Sequence, residues 1–357
     1  MSGSMTSGEA RPSTAAIAYS IVVPLFDRRD AGMRPLESAL EQAFARHRYE
    51  VVVVADARSR GAWPDALFAR CDAVVAVDAD FSAVDAEIAL FDAGSRAARG
   101  EYLYFIEGHT VLAPDALRAI DAHVSCDPGF AIGFGRRVNH ARTRLGALIG
   151  ANNDAHEARA RQRGHFTLGA NCVIRRSVFT ALGGFEPRFQ RFNETVLYER
   201  AIAAGIPIAP IDAALCTHHN DAGLRWLARL LVATGRAKAR YYGSQRLAGV
   251  VPRTRHPVYR WVGAPSAAAL AALPLRVAGP ALIVAAMALV RRAPALAANL
   301  YRIGVGFTDV SGYCFERAWG DGTARSCETG AVPEVARSRD VSHAASGALP
   351  GGLEHAG

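Results

Sequence analysis

The sequence predicts an α/β fold built on a doubly wound, mostly parallel sheet. Three observations predict it. Continuously apolar runs such as "YEVVVVAD" and "EYLYFIE" have the composition of strands buried on both faces. Stretches with helical spacing separate these runs, so that strand and helix alternate along the chain. The 357 residues, half of them hydrophobic, are enough to bury a full core and suggest two units or one large one.

Taken in order, Ile17 to Phe26 form the first strand, and Leu36, Ala39, Leu40, Ala43 and Phe44 recur behind it at the spacing of one helix face. The alternation returns with "YEVVVVAD" and "WPDALFARC", with "DAVVAVD" and "VDAEIALFDAGSRAA", and with "EYLYFIE" and "APDALRAIDAH", before "GFAIGFG" adds a further strand. Gly146 to Gly164 is polar and arginine-rich, and is expected as a loop. The first fifteen residues lack a basic stretch followed by an apolar run, so they read as a disordered leader and not as a secretory signal. Residues 320–357 are dominated by small and polar residues and are expected to be a disordered tail.

Charge and cysteine usage narrow the function. The formal net charge is +8, carried almost wholly by arginine with Lys238 as the single lysine, and it favours an anionic partner: a nucleotide, a phospholipid surface or a nucleic acid. No RNP-like aromatic strand or zinc-ligand spacing supports nucleic acid. Six scattered cysteines without a CxxC pair indicate neither a structural zinc nor a disulfide framework, which fits a reducing, cytoplasmic compartment. The first strand is not followed by G-x-G-x-x-G, and no GK[ST] occurs, so neither a dinucleotide fold nor a P-loop is supported.

Ligands of such sheets bind outside the carboxyl ends of the strands. That edge collects Pro24 to Arg28, Asp56 to Ser59, and Glu107 to His109. A buried strand that ends on a carboxylate and an imidazole two residues apart either just reaches water or aims two ligand-type side chains at a charged group.

Five blocks, "SIVVPLFDRRDAGMRPLESALEQ", "YEVVVVADARS", "DAGSRAARGEYLYFIEGH", "LGANCVIRRSVFTALGGFEPRF" and "NETVLYERAIAAG", resemble in order and spacing those of the inverting family-two glycosyltransferases with the GT-A fold. The resemblance spans about Ser20 to Asn220. It implies transfer of a sugar from a nucleotide-diphosphate sugar to an acceptor hydroxyl, and a nucleotide pocket that includes Pro24, Leu25, Asp27, Asp56, Asp92 and Gly94. Asp56 reads equally as a turn residue and Asp92 as a solvated helix carboxylate.

Glu107, Gly108 and His109 stand where the family carries Asp-x-Asp, which holds a divalent cation against the donor diphosphate. Imidazole suits manganese better than magnesium, so Mn2+ is expected over Mg2+, with donor binding weakening below about pH 6.5. A third ligand is expected from His218 or His219, with His218 preferred, because adjacent side chains on an extended strand point opposite ways. In "NETVLYER", Glu194 aligns with the family's catalytic Asp as general base, while Asn193 and Val196 replace acidic residues. Those departures leave open a non-catalytic nucleotide-sugar-binding protein. The acceptor is open among a glycan, a lipid-linked molecule and a small natural product.

The implied division is a GT-A domain over residues 16–240 and a helical appendage over 241–319. Leu224, Leu227, Leu230 and Leu231 lie on one side of a basic amphipathic stretch. Trp261 to Val290 has only one charge, Arg276, in two apolar runs that Pro274 and Pro280 interrupt, each shorter than the ~20 residues of a spanning helix. It reads as a hairpin on an anionic membrane, at the inner face of the plasma membrane, or as two helices packed on the catalytic domain or on a second subunit of a homo-oligomer.

Overall fold

Alternate side chains of a strand go to opposite faces of its sheet, and here each face carries its own core. The computed structural model describes residues 17–26, 29, 31–57, 64–78, 86–163, 171–247, 259 and 265–320. The expected leader, the expected tail beyond Gly320, and Asp27 lie outside them. Strand β1 (Tyr19–Pro24) runs parallel to β2 (Tyr49–Asp56) on one side, and β3 (Ala73–Val77) lies parallel beyond β2. On its other side β1 is parallel to β4 (Tyr102–Phe105).

Ile21, Val23, Val51 and Val53 pack with Leu36 and Ala39 of α1 (Arg34–Leu40) and with Leu117 and Ile120 of a later helix, Ala116–Cys126. A short helix, α2 (Asp65–Phe68), links β2 to β3. Val22, Val52 and Val54 pack on the opposite face with Ile88, Leu90 and Phe91 of α3 (Ala86–Ala97). Both faces of β2 are therefore covered, which is why its four valines run without a polar break.

The other half of the sheet is mixed. Here β4 pairs antiparallel with β7 (Cys172–Arg175), and β7 pairs antiparallel with β6 (Ile132–His140). The long strand β8 (Ile208–His219) lies parallel to β6 and antiparallel to β5 (Thr110–Leu112), giving the order β3-β2-β1-β4-β7-β6-β8-β5. The helix Ala116–Cys126 is α4, α6 is Arg176–Ala181, and α7 is Asn193–Ala203.

Three expectations change. Helix α1 stops at Leu40, before Ala43 and Phe44, and the Phe44 ring instead packs edge-on against Tyr19 at 5.9 Å. The stretch expected as a loop from Gly146 is helical through α5 (Arg144–Arg163). Its apolar stripe is confined to Leu145, Leu148 and Ile149, so periodicity was weak, although Ala, Arg, Glu and Gln are good helix formers. Pro274 and Pro280 do not divide the apolar stretch: both lie inside one continuous 25-residue helix, Pro265–Leu289.

That helix, α9, follows α8 (Leu224–Leu247) and precedes α10 (Pro294–Trp319). Residues 240 and 241, either side of the expected boundary, both lie within α8. Tyr241 and Tyr242 share a core with Phe192 and Val196 at the start of α7 and with Tyr313 of α10. A second core joins Leu145 and Leu148 of α5 to Leu227, Ile283 and Tyr301. Among the described residues α9 is the one helix long and apolar enough to cross a membrane by length and composition, and 22% of its apolar window is buried. Leu270, Leu273 and Val277 are exposed on α9, as are Ile303, Phe307 and Trp319 on α10.

Candidate active site

The turn after β4 is shaped by one glycine. A Cβ on Gly108 would lie 2.0 Å from the Phe26 carbonyl oxygen and 2.6 Å from that of Pro24, so only glycine lets this turn pass against the end of β1. The Thr110 N–H closes the turn onto the Glu107 carbonyl at 2.9 Å, and the chain then enters β5. Because β5 pairs with β8 in the register Thr110 to His218, the Glu107 and His109 side chains meet His218 across the strands.

The three side chains converge. His218 Nε2 lies 2.9 Å from Glu107 Oε2, His109 Nε2 lies 3.2 Å from the same oxygen, and the two Nε2 atoms are 3.1 Å apart. All three residues are buried, and their ligand atoms lie within 4.8 Å of one another. His219 points elsewhere: its ring packs on His140 with centroids 4.9 Å apart, and its carbonyl accepts from Arg29 Nη1 at 2.7 Å.

Asn220 decides which nitrogen of His218 carries a proton. Its Nδ2 faces three acceptors, Asn139 Oδ1 at 2.9 Å and the carbonyls of His218 and His140 at 3.2 and 3.4 Å, so its Oδ1 must be the atom 2.9 Å from His218 Nδ1. His218 therefore donates from Nδ1 and, as a neutral ring, directs the lone pair of Nε2 at the Glu107 carboxylate. Two acceptors facing each other at 2.9 Å repel unless a cation lies between or beside them. The donor set fits that role: one carboxylate and two imidazoles, with one ring oriented by an outer amide. Glu107, His109 and His218 could hold a divalent cation.

Ionisation supports the same state. Burial lowers His109 well below the usual imidazole value, and the Arg29 guanidinium lowers it further against the opposing pull of Glu107. Burial also lowers His218, again against Glu107. For Glu107, burial pushes the carboxyl up, but its charge and hydrogen-bond contacts with His109 and His218 outweigh this and hold it well below the carboxylate range. Burial thus favours neutral imidazoles, the form that ligates a metal. The expected acid loss of donor binding below about pH 6.5 therefore shifts to lower pH, because both rings resist protonation more than a free imidazole does.

Other residues singled out from the sequence lie on strands of the sheet or on helices packed against it. Pro24 ends β1, and the N–H of Leu25, the next residue, donates to the Val54 carbonyl at 2.8 Å. Asp56 is the last residue of β2, in register with Val77. Gly94 serves packing: a Cβ there would come within 2.4 Å of Val22 and 2.8 Å of Val54, so its absence seats α3 on the sheet. Asp92, two residues earlier, pairs with Arg96 at 2.5 Å. Glu194 is half-buried in the first turn of α7. After burial, its carboxylate is the second cause that raises the Cys172 thiol pKa, and Cys172 pairs with Phe105 at the end of β4. Asn193 is committed to structure, since its side chain donates to the Glu186 carbonyl and accepts from the Glu186 N–H, both at 2.6 Å.

Sequence reading missed Asn220 and Arg29. The first sits in the "HHND" run beside the histidines, where its strand-end position was a usable signal, but its partners Asn139 and Asn153 are remote in the chain.

A mixed, mostly parallel α/β sheet with a buried Glu-His-His cluster beyond the end of its fourth strand has a GT-A-like fold. Residues 16–237 match the family described as "Glycosyltransferase like family 2", and the chain belongs to that family. Among solved structures, the mannosyltransferase PcManGT from Pyrobaculum calidifontis, in complex with GDP-Man and Mn2+, is 18% identical over 88% of this chain and 90% of its own, with a TM-score of 0.51. TarS from S. aureus, residues 1–349 in complex with UDP, is 13% identical over 83% of this chain and 89% of its own, with a TM-score of 0.44. No curated protein matches the sequence.

Proposed function

We propose that this protein transfers a glycosyl group from a nucleoside-diphosphate sugar to an acceptor hydroxyl with inversion. The observation that carries the reading is the convergence of Glu107, His109 and His218 at the carboxyl edge of the sheet. A divalent cation bound there would neutralise charge on the leaving diphosphate. The imidazole pair favours Mn2+ over Mg2+. Pro24, Leu25, Asp27 and Asp56 hold the nucleotide, while Asp92 and Gly94 act through the seat of α3. Glu194 takes the proton of the acceptor hydroxyl as its oxygen attacks the anomeric carbon and the bond to the diphosphate breaks. Asn220 keeps the His218 Nε2 lone pair available for the cation.

Thermal-shift titration with UDP-, GDP-, TDP- and CDP-sugars, each with manganese, magnesium or chelator, tests this. A manganese-dependent shift with one nucleotide is expected. Donor binding that ignores both the cation and Glu107→Ala would sink it. The use of Asn193 as a staple to Glu186 and the buried Val196 favour a second reading, a nucleotide-sugar binder without turnover. Donor binding without release of nucleoside diphosphate to any acceptor supports that alternative.

A further inference from the structure

Helices α8, α9 and α10 border an open cavity of about 420 Å3 whose lining includes Arg225, Arg229 and Arg236 of α8, Arg276 and Pro280 of α9, and Thr308 of α10. It shares no lining residue with the Glu107, His109 and His218 cluster. Arg276 is the only charge between Trp261 and Val290, yet it borders the cavity that three arginines of another helix also border.

Nearby cations on α8 are neutralised inside the protein. Glu316 of α10 receives Arg236 Nε at 2.7 Å and Arg240 Nε at 2.8 Å, and Asp309 receives Lys238 Nζ at 2.8 Å. No such partner serves Arg225, Arg229 or Arg276 among the described residues. Arg225 and Arg229 stand one helical turn apart, where like charges repel. Of the four arginines that line the cavity only Arg236 has a carboxylate partner among the described residues, and the other three are exposed at its rim, where their planar donor forks match phosphate oxygens.

We propose that this cavity binds a phosphate group, independently of glycosyl transfer at the sheet edge. The rim of the cavity suggests two sources. Leu273 and Val277 flank Arg276 and are 69% and 66% exposed, and Phe307 is exposed beside Thr308, so apolar surface suited to acyl chains adjoins the arginines. The phosphate is therefore either a lipid headgroup or part of a soluble ligand, and one pair of probes separates these.

The experiment uses the full chain with chelator present, which removes cation-bridged phosphate at the sheet edge. Inorganic pyrophosphate is titrated calorimetrically, and vesicles of phosphatidylcholine doped with phosphatidic acid are sedimented with the protein. The test variant is Arg229→Gln with Arg276→Gln, and the control is Arg291→Gln with Arg292→Gln in the exposed α9–α10 turn, outside the cavity lining. Each lost charge-assisted contact should weaken binding by about tenfold or more. Pyrophosphate binding lost in the cavity variant and kept in the control assigns a soluble phosphate ligand. The same pattern with vesicles alone assigns a lipid headgroup. The proposal is overturned if the wild type binds neither probe, or if both variants bind like the wild type or weaken alike. Nucleotide-sugar binding with manganese, followed in the same variants, is expected to persist and reports separately on the sheet-edge site.

Discussion

Two polar clusters in this protein bury their carboxylates and differ in how those carboxylates are matched. At the interface of α8 and α10, Asp309 meets Lys238, and Glu316 meets Arg236 and Arg240, so each acid has a cation and each of those cations an acid. At the sheet edge, the Glu107 carboxyl meets two imidazoles that burial holds in the neutral form, and the one ring proton of His218 is directed to Asn220. In the first cluster both acids are matched by cations of the chain itself, although Asp309 Oδ1 makes no hydrogen bond among the described residues. In the second, electron pairs face one another and the geometry calls for a cation. Burial of charge alone therefore does not mark a site; an imbalance held rigidly in place does.

The comparison breaks most completely at Glu194. Replacing it with Gln should lower transfer by roughly 10²- to 10⁴-fold while leaving manganese-dependent donor binding intact, because an amide fills the space but cannot take a proton. Wild-type turnover in this variant would remove the base from the mechanism.

Next in size is the balanced cluster. Glu316→Gln leaves Arg236 and Arg240 without their acid and should destabilise the fold by about 2–3 kcal/mol, below the ~3–5 of a fully buried pair because both arginines reach solvent. Denaturant unfolding measures this, and donor affinity in native buffer should not change. A fall in donor affinity without loss of stability would make the seam part of the site and erase the contrast.

Asn220→Ala sharpens the contrast from the other side. Without its Oδ1 the His218 ring can take the other tautomer, and manganese affinity should drop roughly 10- to 100-fold, while Asn220→Asp, which keeps the acceptor, should retain most of it. Calorimetry with manganese alone reads both. Equal affinity in all three proteins would mean that the amide does not orient the ring.

The smallest expected effect is on acid stability without metal. His109 and His218 are held below the ordinary imidazole value, so as pH falls beneath about 6.5 the unfolded chain takes up protons that the folded chain refuses, and stability declines. Glu107, also held low, extends the loss further into acid. Melting temperature in chelator should fall from neutral pH to mildly acidic pH, and less steeply for His109→Gln. A flat profile would show that the rings are already charged in the fold.

The alternation of strand and helix in the parallel half was legible because its causes are local. Uninterrupted runs such as Val51 to Val54 require cover on both faces, and helices with one apolar stripe supply it. Glu107, His109 and the histidine pair were visible as ligand-type residues at strand ends for the same reason. Tertiary structure alone decided the rest. The β5–β8 register selects His218 over His219 from a separation of 109 residues, Asn220 fixes the tautomer through Asn139, and Gly108 is required by the carbonyls of β1's end. Helix α5 lacked a full apolar stripe, and Pro274 and Pro280 read as breaks although α9 continues through both. Arg276 likewise reads as a stray charge until the fold sets it beside Arg225 and Arg229. Periodicity records which face a residue turns inward, but distance between remote residues depends on packing, and site chemistry is set by distance.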